Sequence, residues 1–396
     1  MPYRIERRSY SQPWLTAVLV TLNSIAFAAT WWDLRSVART FGFTMAPSGV
    51  YTWFTSLFLH GDPFHLLFNM YFLWLFGSFV EEVLGTWRYL ALFLLGGLAA
   101  SLVHGVTTVL FVPQMSHVPA IGASGALAAV MGLFMVRFYR HKVRIGYFFL
   151  FFIYPRWGVW RASSLMAIGL WFAGELASGL LMLGGSSDGV ARWAHIGGLV
   201  FGAVAGLALG AKYDADTEYL ADEATLYAQT GSHDVAAVKY QELVARTPDD
   251  PEALLGEARA VFGSHAEDTS PGANALRRAV ELLVRQSRPE RVLLAWEELQ
   301  GPAAAVAIDP KTLSTIASIA EAHRRPDMAS ATYWRVVQEH PGTREAERAL
   351  FRLCHIYLDS GMNPEASQCW GRFRASHPDS EWLAFADARL SALEGA

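Results

Sequence analysis

The sequence predicts an all-α protein in two parts, a polytopic bundle of six transmembrane helices followed by a soluble α-helical repeat domain. Three observations predict it. Hydrophobic residues make up 53% of the 396 and charged residues only 17%, low for a soluble protein. The charge is divided unevenly: 13 Lys/Arg face 7 Asp/Glu up to Gly210, a net of +6, and 19 face 29 from Ala211 on, a net of −10. A pattern of small, aromatic and proline positions then recurs within the second part. The implied boundaries are a cytoplasmic N-terminal tail at 1–12, a six-span membrane domain at 13–211 and a cytoplasmic helical repeat domain at 212–396. Two cysteines, Cys354 and Cys369, make no disulfide framework. No metal-ligand cluster, cofactor motif or phosphate-binding glycine loop stands out, and the acidic second half argues against nucleic acid.

Residues 1–12 are polar and carry Arg4, Arg7 and Arg8. The apolar run 14–31 is long for a signal peptide and ends in Trp31-Trp32 rather than a cleavage site, which predicts a signal anchor and first span. Residues 32–62 are mixed and rich in rings (Phe41, Phe43, Tyr51, Trp53, Phe54, Phe58), as in a loop lying at the membrane edge. Runs of spanning length, about 20 residues, follow at roughly 63–84, 89–112, 121–138, 159–183 and 193–210. The ten apolar residues 145–154, between Arg144 and Pro155-Arg156, are too short to span and predict a second interfacial piece. Arginines at the N-terminus, and Arg137, Arg140, Lys142, Arg144 and Arg156 after span four, mark the cytoplasmic side. Segment 113–120 has no Lys or Arg and 184–192 only Arg192, so both termini fall in the cytoplasm.

In the second part Tyr227, Gly231, Ala236, Tyr240 and Pro248 recur 130 positions later as Tyr357, Gly361, Ala366, Trp370 and Pro378. Ala329, Tyr333 and Pro341 make a partial copy. A small residue, a ring four later and a proline twelve later describe a helix packed closely on its neighbour and then stopped. The pattern resembles tetratricopeptide (TPR) repeats, which imply a groove for protein or peptide partners.

Polar and ionisable side chains inside a bilayer are costly. The spans hold His65, Asn69, His104, Glu175 and His195. Even-numbered spans all start from the outer face, so His65 on span two, Ser124 on span four and His195 on span six fall at similar depth. His65 and Asn69, four apart, share a helix face. Gly198, Gly202 and Gly206 on span six, and Ser124, Ala128 and Gly132 on span four, form stripes of small residues that let two helix backbones meet. If they meet, Ser124 reaches His195, the minimum for nucleophilic acyl transfer. The free N–H of Ser124 in the first helical turn, with Asn69 and His65, can supply donors to an oxyanion. No Asp is available to orient His195, which predicts a dyad. Glu175 reads as a hydrogen-bonded structural residue with a gating role as the alternative, and His104 as packing.

His65-x-x-x-Asn69, Gly122-x-Ser124-Gly125 and Ala194-His195-x-x-Gly198 on alternate spans resemble the rhomboid intramembrane serine proteases. The resemblance covers the first 210 residues. It implies Ser124 as nucleophile, His195 as its base, and His65, Asn69 and the Ser124 N–H as the oxyanion hole, with Gly122, Gly125 and Gly198 in support. His60 is similar to a further family histidine, and Glu81, before Leu84-Gly85, to a family acidic position. Two positions depart from the pattern. Tyr51-Thr52 stands where the family has Trp-Arg, and Ala128 stands where many members stack an aromatic on the base, which leaves His195 to be held by another residue such as Trp193 or Tyr71.

The implied function is hydrolysis of peptide bonds in or near transmembrane segments of other membrane proteins, with no cofactor and no metal. The repeats would recruit substrates or partners. The alternative is a catalytically silent rhomboid-like scaffold that binds transmembrane helices. A transporter ranks last, for want of inverted repeats and a charged midplane path. The absence of an organelle presequence predicts a bacterial inner membrane, with the active site opening to the outer face.

Overall fold

An apolar run cannot leave its backbone polar groups unpaired in lipid and closes them as a helix. All the long runs do so in the computed structural model of the chain. The structure describes residues 2–5, 12–45, 49–151, 154–183, 190–264, 267–299, 301 and 306–394. Close contacts divide it into two units, Met1–Asp216 and Thr217–Ala396.

The first unit is a bundle of six apolar helices: α1 (Trp14–Thr30), α2 (Pro63–Leu84), α3 (Thr86–Phe111), α4 (Ser124–Arg137), α5 (Ser164–Leu183) and α6 (Arg192–Ala208). Four helices are long and apolar enough to cross a membrane by themselves: α1 with its continuation to Phe41, α2, α3 and α5. A fifth is reached by joining α6 to the helix after it. The chain is therefore a multi-pass membrane protein. α4 has only 14 residues, roughly 21 Å against a hydrocarbon core of about 30 Å. Ser124 is its first residue. α2 carries one π-helical turn at Leu73–Gly77, a widening of the helix common at functional sites.

The apolar stretch expected as an interfacial piece rather than a span forms no spanning helix, and its residues 145–151 lie in a strand of a three-stranded sheet. β1 (Pro2–Ile5) pairs antiparallel with β2 (Lys142–Phe151), which pairs with β3 (Tyr154–Ser163) in register from Lys142 opposite Ser163 to Phe151 opposite Tyr154. Residues 145–151, too few to span and rich in rings, satisfy their backbone through a neighbouring strand. Span five accordingly starts at Ser164, not 159. Part of the expected tail is strand β1, while Arg7 and Arg8 lie outside the described residues. The class remains all-α, with this sheet as an addition.

Glu81 ties the bundle together. α1 begins without a side-chain cap of its own. The buried Glu81 carboxylate, from the end of α2, accepts from the backbone N–H of Leu15 and of Thr16 and from the Thr16 hydroxyl, each at 2.8 Å. A negative charge thus sits on the positive end of α1 and satisfies donors that the helix leaves open. Glu81→Ala is expected to destabilise the membrane unit by about 3 kcal/mol, read as a lower melting temperature in detergent; an unchanged melting temperature would refute the capping role.

In the second unit, helices follow one another as packed hairpins. α8 (His233–Arg246), α13 (Pro326–Glu339) and α15 (Asn363–Ser376) carry the recurring pattern, and each has 14 residues. They are the second arms of hairpins begun by α7 (Ala211–Gln229), α12 (Pro310–Ala322) and α14 (Arg344–Asp359); α9 (Pro251–Gly263), α10 (Ser270–Arg285) and α11 (Pro289–Leu299) lie between the first and second of these, and α16 (Leu383–Glu394) ends the chain. Ala236, Ala329 and Ala366 are fully buried, as are the rings Tyr333 and Trp370 four residues on. Gly231 and Gly361, both at positive φ, stop the first arm. In the partial copy the same place is taken by Arg324 at φ 56°, so the backbone turn recurs where the glycine does not, at a cost in strain. Cys354 and Cys369 form one disulfide between α14 and α15, with Cα atoms 5.3 Å apart, a link that the cysteine count did not suggest.

Candidate active site

The site begins with a loop. Residues 112–123 are held by reciprocal backbone hydrogen bonds between Phe43 and Ala120 (2.9 and 2.8 Å) and by the Gly122 N–H donating to the Ser56 carbonyl (2.9 Å). Phe43 is buried and edge-on to Trp53, so the ring-rich stretch after α1 anchors this loop. Gly122 has φ 125°, a conformation open to glycine. A Cβ there would also meet His65 Cε1 and Nε2 at 2.9 Å. Two residues later α4 starts at Ser124.

α4 and α6 pack backbone to backbone. A Cβ on Gly198 would lie 2.0 Å from the Gly125 carbonyl oxygen, one on Gly202 1.8 Å from that of Ala129, and one on Gly132 2.2 Å from that of Leu199. The span-six stripe holds at Gly198 and Gly202, and on span four Ala128 and Gly132 are in contact as expected, together with the backbone of Gly125 and Ala129. Gly125 thus lies in the seam and Ser124 at its edge, partly exposed.

A cavity of about 270 Å³ opens there, with Ser124, His195 and Asn69 among its lining residues. The rest of its wall is largely apolar and includes Phe72, Leu127 and Trp171. Asn69 is buried and its Nδ2 has no hydrogen-bond partner, a donor available to a ligand. No hydrogen bond joins Ser124 to His195 among the described residues; the two face one space, as unliganded acid–base pairs often do. The Gly61 N–H donates to His65 Nδ1 at 3.3 Å, which puts the imidazole proton on Nε2, the edge that faces Gly122. His65 does not line the cavity itself. His60 is fully buried with its ring 5.1 Å from that of His65. His104, expected as packing, lines a void of about 20 Å³ behind Ser124. Among the described residues no three His, Cys, Asp or Glu are grouped as metal ligands would be.

What holds His195 comes from α5. Its Nδ1 lies 2.8 Å from Glu175 Oε2, and Glu175 Oε1 accepts from Arg192 Nη1 at 3.2 Å. The Trp171 ring lies tilted 5.9 Å from the imidazole. Trp193, one of the holders suggested by the sequence, has an indole N–H without a hydrogen-bond partner among the described residues. Position 128 has no room for an aromatic on the base: Ala128 is buried, and its Cβ is 3.2 Å from where a Cβ on Gly198 would be. The signal was present in the spacing, since Trp171 and Glu175 share one face of α5 at i, i+4, and Arg192 and His195 share one of α6 at i, i+3.

Residues 47–212 match the family model described as Rhomboid domain. The chain is 32% identical over 156 residues to "Rhomboid protein 1, mitochondrial" of Saccharomyces cerevisiae, covering 38% of this chain and 39% of that one. It is 30% identical over 118 residues to "Presenilin-associated rhomboid-like protein, mitochondrial" of Homo sapiens, covering 28% and 30%. These matches span well under half the length of either relative.

Proposed function

We propose that the protein, whose residues 47–212 match the Rhomboid domain model, is an intramembrane serine protease. Ser124 is its nucleophile and His195 its general base, and Asn69, His65 and the Ser124 N–H are its oxyanion donors. The observation that carries this reading is the single cavity lined by Ser124, His195 and the unpartnered Asn69 Nδ2. The serine proton passes to His195 as the oxygen attacks the carbonyl, and returns to the leaving amine as the C–N bond breaks. Water then hydrolyses the acyl ester through the same base. A helix hides its peptide bonds, so substrates are transmembrane segments that unwind locally, with small residues at the cut. Cleavage of a single-span reporter by reconstituted wild type, Ser124→Ala and His195→Ala is the test, and equal cleavage by all three overturns the reading. A silent scaffold that only binds transmembrane helices would leave Ser124 unlabelled by a serine-reactive fluorophosphonate, whereas the protease labels there.

The hairpin array supports a recruiting role for residues 217–396, in the manner of tetratricopeptide repeats. It offers a groove of about 920 Å³ lined in part by Lys311, Glu321, Tyr333, Arg348, Phe351 and Trp382, a mixed charged and aromatic surface suited to peptide. Removing the chain after Asp216 is expected to change which membrane proteins are cleaved or co-purify while leaving reporter cleavage intact; an unchanged set would refute recruitment. The basic segments put both termini on the cytoplasmic side and the cavity toward the opposite face. The bacterial inner membrane expected from the sequence draws no support from the relatives, whose names place those proteins in mitochondria.

A further inference from the structure

We propose that Glu175 is a positioning residue for His195, so that the site works as a Ser124–His195–Glu175 chain clamped by Arg192 rather than as a dyad. The inference rests on the protease reading and deepens it.

The geometry carries the assignment. The Glu175 carboxylate divides its two oxygens between two partners, Oε2 to His195 Nδ1 at 2.8 Å and Oε1 to Arg192 at 3.2 Å. An imidazole whose Nδ1–H is held by a carboxylate has its Nε2 lone pair free. That is the nitrogen needed to take the Ser124 proton, and His195 and Ser124 line the same cavity. The Arg192 contact fixes the carboxylate in turn, because rotating it toward any other group breaks both bonds. Trp171, one turn before Glu175, limits tilting of the ring. The three side chains are only 12 to 18% exposed, so the attraction between Glu175 and Arg192 is weakly screened.

The chemistry follows. When Nε2 accepts the serine proton, the imidazolium appears beside a carboxylate that is already in place, and no solvent has to reorganise around it. Glu175 keeps its charge throughout. The proton goes from Ser124 Oγ to Nε2 and from Nε2 to the leaving nitrogen, and Glu175 neither gains nor loses one. A glutamate in a span is costly, and here the cost is offset by a histidine and an arginine at the end of the neighbouring helix. A merely structural ion pair between α5 and α6 would stabilise the bundle in the same way, but would have no reason to act on the chemical step.

The test compares full-length wild type, Glu175→Gln, Glu175→Asp, Ser124→Ala and His195→Ala in reporter cleavage and fluorophosphonate labelling. For Glu175→Gln, kcat is expected to fall about a hundredfold with KM within about twofold, and labelling of Ser124 to slow in parallel. Glu175→Asp, which keeps the carboxylate one methylene back, is expected to recover most of that loss. A Glu175→Gln kcat within about twofold of wild type, with Ser124→Ala and His195→Ala inactive, overturns the inference and leaves the protease reading standing. Should Glu175→Gln fail to fold, Glu175→Asp decides: a kcat about three- to tenfold below wild type at constant KM, as its shorter reach implies, supports positioning, and a kcat equal to wild type overturns it. A wild type that neither cleaves nor labels overturns the protease reading itself.

Discussion

Ser124→Ala and His195→Ala each reduce reporter cleavage by about 10³-fold or more, and the double variant is no worse than either single one. The expectation follows from how the pair works. A hydroxyl without its base is a poor nucleophile, and a base without its hydroxyl has no proton to take, so removing either removes the whole step. The neighbouring groups do not compensate. An amide such as Asn69 is no substitute nucleophile or base, and the remaining cavity wall is largely apolar. The measurement is initial rate on a single-span reporter in proteoliposomes, with circular dichroism to show that the bundle is intact. Additive losses in the double variant would mean that Ser124 and His195 act separately and would defeat the proposed mechanism.

Gly202→Ala damages fold and activity together, far from the cavity. A methyl there would sit 1.8 Å from the Ala129 carbonyl oxygen and 2.5 Å from its carbon. Both are backbone atoms of α4 and cannot swing aside. The helices must part by roughly 1.5 Å to restore van der Waals contact, at a cost of about 3 kcal/mol. The same displacement moves His195 on α6 away from Ser124 on α4, and a shift of about 1 Å in a reacting pair costs about a hundredfold in rate. Gly206→Ala is the control on the same stripe. Its Cβ would meet Leu133 Cγ and Val136 Cβ at 3.3 Å, both side-chain atoms, so it is expected to keep melting temperature and rate near wild type. Equal effects at the two glycines would refute backbone contact at Gly202 as the cause.

The two glycines also separate what was legible in the chain from what was not. The stripe on span six reads directly from spacing, because a helix repeats its face every three to four residues. The facing stripe on span four was read correctly at Ala128 and Gly132 but not at its outer end, where Gly125 rather than Ser124 meets span six. A run of Gly122, Ala123, Ser124, Gly125 and Ala126 has small residues on every side, so its spacing cannot choose between faces. Only the packing chose Gly125 for the seam, and that choice turns Ser124 toward open space. The sheet at 142–163 was not legible for a related reason: a short apolar run has no period of its own, and β1, which completes the sheet, lies at the far end of the chain.

By itself the sequence determined the class, the two-part division of charge, the apolar runs and the motif residues His65, Asn69, Ser124 and His195. These depend on composition and local periodicity, which a chain carries without folding. It also determined the recurring pattern in the second part, down to the proline after each helix. The tertiary structure decided which polar groups have partners. Glu81 was a matched position until its carboxylate met the open end of α1, and Glu175 was an isolated charge in an apolar span until Arg192 and His195 met it from α6. A buried charge is defined by its neighbours, since its cost depends on what it is bonded to. Those neighbours, 66 and 20 residues away in the chain, are brought beside it only when the helices pack.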